Sequence, residues 1–98
     1  MTQPKMILSI EEAREAVRVD GSDNDVILIP LVEAIPNFLE IQTGRSWIED
    51  ADIYPLAKTA AKFVLQLWYY PQSKEAARIQ RTIDSLIKLL AAEARARS

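Results

Sequence analysis

Only two glycines, Gly21 and Gly44, occur in 98 residues, and that scarcity limits the possible folds more than any other feature. An all-β chain needs a turn roughly every 8–12 residues, and glycine supplies much of the backbone freedom those turns require. A helical chain needs a glycine only where a helix stops. With 49% hydrophobic and 27% charged residues the composition is that of an ordinary globular protein, and the length suits one domain, residues 1–98, with one core. The expectation is an all-α, compact four-helix domain: a short first helix, a long kinked second helix and two further helices.

Start and stop signals place the helices. Ser9-Ile10-Glu11-Glu12 is a capping box, opening a first helix that runs to about Arg18 with Ile10, Ala13 and Val17 inward and the pairs Glu11–Arg14 and Glu15–Arg18 outside. Asp20-Gly21 ends it. Ser22 to Asp25 caps a second helix that closes at Thr43-Gly44, with Ile27, Leu31, Ala34, Ile35, Phe38 and Ile41 as its apolar stripe. Pro30 and Pro36 inside it each remove a backbone donor, at about 3 kcal/mol in a straight helix, so a kink or break is expected. A competing strand over residues 26–29 has no second strand-like run to pair with. Val26, Leu28, Ile29, Val32 and Leu39 lie off the stripe, leave the helix apolar nearly all round, and call for neighbouring subunits to cover them.

A third helix over about residues 53–70 is capped by Asp52 and stopped by Pro71. Leu56, Ala60, Phe63, Val64, Leu67 and Trp68 face the core, and Lys58, Lys62 and Gln66 line the opposite side, wet or against a partner. Ser73 caps a fourth helix with Ala76, Ile79, Ile83, Leu86 and Leu90 inward and Asp84–Lys88 and Glu93–Arg97 as i,i+4 pairs. Residues 94–98 have little to bury and are expected to fray.

Chemistry is limited by inventory. Cysteine and histidine are absent, which removes thiolate ligands, disulfides and the commonest general base. Asp20, Asp23 and Asp25 share a loop, but a calcium-binding EF-hand starting at Asp20 needs glycine sixth and glutamate twelfth, and here glycine is second and Leu31 twelfth. Neither a catalytic pair of acids in an apolar cleft nor a glycine-rich phosphate loop is present, so no catalytic, cofactor or metal residues are assigned. The start, Met1 to Met6, lacks the apolar core of a secretion signal, and no apolar run approaches the ~20 residues of a membrane span, which points to a cytoplasmic product without a membrane partner.

Charge is unevenly distributed. Residues 1–54 hold eleven acids and four bases, and residues 55–98 hold three acids and eight bases. Such a chain suits head-to-tail contact between copies, with Arg78 and Arg81 at the basic end and Trp47, Tyr69 and Tyr70 as candidate contact aromatics. Trp68-Tyr69-Tyr70 beside Lys58 and Lys62 also has the ingredients of base stacking, although Trp68 belongs to the core face.

Taken in order, Leu8 to Ala13, Val17 to Gly21, the acidic cap at Asp23 to Asp25, Thr43-Gly44-Arg45-Ser46-Trp47 and the aromatic helix from Ala60 to Tyr70 give the chain a family likeness. From Met6 to about Leu90 it resembles the small head-tail connector proteins of tailed bacteriophages and prophages, also called head-completion or adaptor proteins. The resemblance implies an all-α subunit, without enzymatic activity, that forms a homo-oligomeric ring in the virion at the head-tail junction after synthesis in the bacterial host cytoplasm. The implied partners are further copies of itself, the phage portal protein and later connector or tail-completion proteins. The likeness carries over no residue-level site; a separate hypothesis is that Asp20, Asp23 and Asp25 face the channel of such a ring and keep DNA from sticking. Pro30 and Pro36 depart from the uninterrupted second helix the resemblance implies. The rival reading is a helix-turn-helix DNA-binding or packaging and regulatory protein, which needs a basic N-terminal end on its recognition helix.

Overall fold

A computed structural model describes residues 6–97, and the readings of Met1 to Lys5 and of Ser98 lie outside them. Helix α1 spans Ile10–Val17, α2 Asp25–Thr43, α3 Pro55–Tyr69 and α4 Ala76–Arg97, and no strand occurs among the described residues. The chain is a compact all-α domain of four helices. Helix α3 touches the other three, and α1 and α4 do not meet. The Cα envelope measures 41 × 39 × 18 Å, about two helix layers thick, so every helix keeps an outer side.

Local signals account for some helix ends and not for others; α2 starts after Asn24 with no side-chain cap. The capping box forms at α1: the Glu12 amide donates to Ser9 Oγ at 3.1 Å and the Ser9 amide donates to Glu12 Oε1 at 3.0 Å. Its end differs from expectation. Arg18 itself takes the left-handed conformation at φ 60°, and the Val19 amide donates back to the Arg14 carbonyl, so the helix stops before Asp20-Gly21. Helix α2 ends as expected on Gly44 at φ 83°, the conformation that glycine adopts without a Cβ penalty. Helix α3 begins on Pro55 as its first residue, with Tyr54 rather than Asp52 at the cap position. Ser73 accepts the Glu75 amide at 3.1 Å in the turn that leads into α4.

The stripe on α2 is corrected by about one residue step, roughly 100° of helix rotation. Leu28, Val32, Ile35, Leu39 and Thr43 form its buried side. Of the expected stripe only Ile35 is fully buried; Leu31 and Phe38 are half-buried, and Ile27, Ala34 and Ile41 are exposed. Pro30 and Pro36 lie within one unbroken helix, which leaves the carbonyls of Val26 and Val32 without a donor four residues on. Val26 and Pro30 are exposed, so water reaches that end of the helix.

Helix α3 is packed on more sides than one stripe allows. Ala57, Ala60 and Ala61 are buried with Val64 and Leu65, and their small side chains let neighbouring helices approach closely. The side carrying Lys58, Lys62 and Gln66 is not a free face, because Lys58 Nζ pairs with Glu12 at 3.0 Å and Gln66 Nε2 donates to the Ala16 carbonyl at 3.0 Å. Its partner is α1. Tyr70 Oη adds a 2.7 Å bond to the Val17 carbonyl, so two side chains from the end of α3 satisfy carbonyls left unpaired at the end of α1. Tyr70→Phe is expected to cost about 1 kcal/mol, read as a lower urea midpoint with unchanged slope.

Residues 94–97, expected to fray, are placed within the helix. Helix α4 continues to Arg97, Ala94 is buried, and the Arg97 guanidinium pairs with Asp50 at 3.1 Å and Glu93 at 3.0 Å while lying 4.6 Å from the Tyr54 ring centroid. These contacts give the last turn a long-range anchor that its own composition lacks.

Candidate functional site

The residues proposed from sequence separate into three environments. Trp47 has no exposed surface and is therefore removed from the contact candidates. Its indole Nε1 donates to Thr43 Oγ1 at 2.8 Å, its ring stacks on Tyr54 with centroids 5.7 Å apart, and the Arg45 guanidinium lies 4.7 Å from its centroid. Thr43 in turn donates to the Leu39 carbonyl at 2.7 Å, so α2 and the following loop lock together around this indole. An aromatic on a glycine-led loop gave no local sign of that burial.

Tyr69 is half-buried against the core and meets the Tyr70 ring edge-on at 4.7 Å. Tyr70 is partly exposed, with its hydroxyl held by α1. Arg78 and Arg81 are both exposed on α4, and Arg78 pairs with Glu75. Asp20 and Asp23 are exposed in the corner between α1 and α2. Asp25 is not available with them: Arg14 grips it through two bonds, one of them 3.0 Å from Nε to Oδ1. Arg14 reaches across to α2 rather than to Glu11 because Asp25 offers both carboxylate oxygens to its fork.

Electrostatics favour the charged form at three of the paired acids, Glu12, Asp25 and Asp50. The Ser9 amide, with help from Lys58, holds the Glu12 carboxyl below the usual carboxylate range. Hydrogen bonding from Arg14 does the same for Asp25, and bonding from Arg45 and then Arg97 does so for Asp50. A general acid needs the opposite shift. Because these native values lie below the unfolded ones, the stability they add is present above the usual carboxylate range and is lost as pH falls through the depressed values. Thermal midpoints should therefore hold level from about pH 7 to about pH 5 and fall below about pH 4, with a shallower acid-side fall in Asp50→Asn. Circular dichroism melts across pH check this.

Among the described residues no group of three acids converges on a metal-sized site. An open groove of about 550 Å³ runs between the end of α1, α3 and the start of α4, floored by Val17, Phe63 and Ile79 and rimmed by Arg18, Tyr70 and Arg78. Two of its polar side chains are turned to other partners, Tyr70 to the Val17 carbonyl and Arg78 to Glu75.

Broad helix faces are the more prominent feature. The outer side of α2 exposes Val26 at 79%, Ile27 at 55% and Ile41 at 71%, with Ile29 at 41%. The outer side of α4 carries the exposed bases Arg78, Arg81, Lys88 and Arg95 together with Leu89. By length and composition α2 is also apolar enough to cross a membrane, with a mean hydropathy of 1.4, contrary to the expectation of no such stretch. Its buried side is occupied by the domain's own core, from Leu28 to Thr43. No family model, curated protein or solved structure matches the chain.

Proposed function

We propose that the chain is a structural subunit of a phage head-tail connector, forming a ring of its own copies that docks under the portal after DNA packaging, lengthens the exit channel and receives further connector or tail-completion proteins. The observation that carries this reading is the pair of unlike outer faces on one small domain, one apolar with acids and one basic. A closed ring of identical subunits needs two such different faces. The family likeness supports it further, since its two most specific stretches form corners of the four-helix fold: Arg18-Val19-Asp20-Gly21 joins α1 to α2, and Thr43-Gly44-Arg45 ends α2. Asp20 and Asp23 keep their candidacy for the channel lining, and Asp25 contributes less because Arg14 neutralises it.

One observation favours the DNA-binding alternative, namely the basic outer side of α4, which suits phosphate contacts. Those bases run the length of the helix, whereas a recognition helix concentrates its contacts at its N-terminal end. Negative-stain imaging of the chain with the portal protein of its own genome, beside a gel shift with duplex DNA at low salt, tests the two. Ring-shaped density on the portal and no shifted band are expected. Tight duplex binding with no portal association would reject the connector.

A further inference from the structure

The outer faces of α2 and α4 differ in kind and match in period. On α2, Glu33 and Glu40 are exposed seven residues apart, beside Val26, Pro30, Ala34 and Ile41. On α4, Arg81, Lys88 and Arg95 are exposed at the same seven-residue interval, beside Ser85, Leu89 and Ala92. Seven residues of helix rise about 10.5 Å, so the acidic and basic ladders have equal rung spacing. Helices packed along one another set flanking charges of this period opposite each other around an apolar seam.

The other charges on these two helices, Arg95 included, have interactions of their own within the chain. Asp25 belongs to Arg14, Arg78 to Glu75, and Arg97 to Glu93 and Asp50. Asp84, the one acid beside the basic ladder, accepts a bond from Gln80 at 2.9 Å. Glu33, Glu40, Arg81 and Lys88 enter no ion pair among the described residues. Helix α2 has three acids and no base, and α4 has five bases and two acids.

We propose that the outer face of α2 docks lengthwise on the outer face of α4 of a second copy, with Glu33 and Glu40 against Arg81 and Lys88 and the α2 apolar strip against Leu89 and Ala92. Each copy offers one face of each kind, so the contact repeats head to tail and closes into a ring if the rotation allows. A lipid surface is the weaker match for α2, because helices that lie on membranes carry Lys or Arg on their polar side and this one has neither. The inference rests on the connector reading only in requiring that copies associate.

Sedimentation velocity on the full chain, over a range of concentration and salt, tests it with E33K/E40K on one face and R81E/K88E on the other. The wild type should associate and dissociate as salt rises, and each two-site variant should bind itself at least about tenfold more weakly. An equal mixture of the two variants, or all four changes in one chain, restores opposite charges at every contact and should recover association to within about threefold. V26S/I41S should also weaken association while leaving the melting curve of the dissociated chain unchanged, since both side chains are exposed.

Unaltered association in the two-site variants, failure of the mixture to recover, or a wild type monomeric at every concentration at low salt would overturn the contact. So would co-sedimentation with phosphatidylcholine vesicles in place of self-association. Portal-bound rings that ignore these substitutions would retire the contact and keep the connector. Association through these faces without portal binding would do the reverse.

Discussion

Trp47→Ala is expected to destabilise the domain by about 3–5 kcal/mol, a large part of the roughly 5–15 kcal/mol that separates folded from unfolded states in domains of this kind. The loss has three sources. A fully buried indole leaves a cavity, Thr43 Oγ1 loses the donor at 2.8 Å, and Arg45 and Arg97 lose the ring beneath them. Trp47→Phe keeps most of the volume and should cost less. Thr43→Val separates the polar part, since it strands the indole N–H in the core at about 1–3 kcal/mol. Urea denaturation followed by circular dichroism distinguishes the three variants. A Trp47→Ala protein with an unchanged midpoint would remove this residue from the core and return it to the surface candidates.

The second large effect concerns the rotation of α2. Leu39→Ala should cost about 2–5 kcal/mol, because Leu39 is fully buried. Ile41→Ala, two residues on and 71% exposed, should stay within about 0.5 kcal/mol in the dissociated chain. The contrast is sharp because both residues are branched and apolar and sit in one turn, so composition alone predicts similar losses. Equal effects would mean that the helix is turned by about one residue from the orientation described here.

That orientation explains why one part of the reading succeeded and another did not. The start of α1 and the end of α2 follow from local chemistry: Ser9 and Glu12 exchange bonds across three residues, and Gly44 takes a left-handed turn open to it at little cost. The inward side of α4 was legible for the same kind of reason. Polar residues on its other side leave one arrangement for Ile83 and Leu90. Helix α2 has apolar residues nearly all round, so periodicity admits more than one inward side, and packing against α1, α3 and α4 selects Leu28, Val32, Ile35 and Leu39. Half of the apolar stripe that looked like core, Ile27, Ala34 and Ile41, is exposed, and Ala34 and Ile41 lie on the strip used by the proposed contact.

The candidate contact residues divide along the same line. Exposure of Arg81 follows from its place opposite Ile79 and Ile83 on an amphipathic helix. Burial of Trp47 and the anchoring of residue 97 do not follow from their neighbours in sequence. Asp50 and Arg97 are separated by 47 residues, and no local pattern brings them together.

From its residues alone this chain is committed to four helices, to the start of α1 and the end of α2, to a basic α4 and to a lack of histidine and cysteine chemistry, because each depends on side chains within a turn or two of one another or on inventory. Tertiary structure decided which side of α2 became core, that Trp47 and the last turn of α4 are anchored, and that Asp25 answers to Arg14. Those outcomes depend on contacts between helices far apart in sequence, where several apolar or ionic partners compete and the best simultaneous packing selects among them.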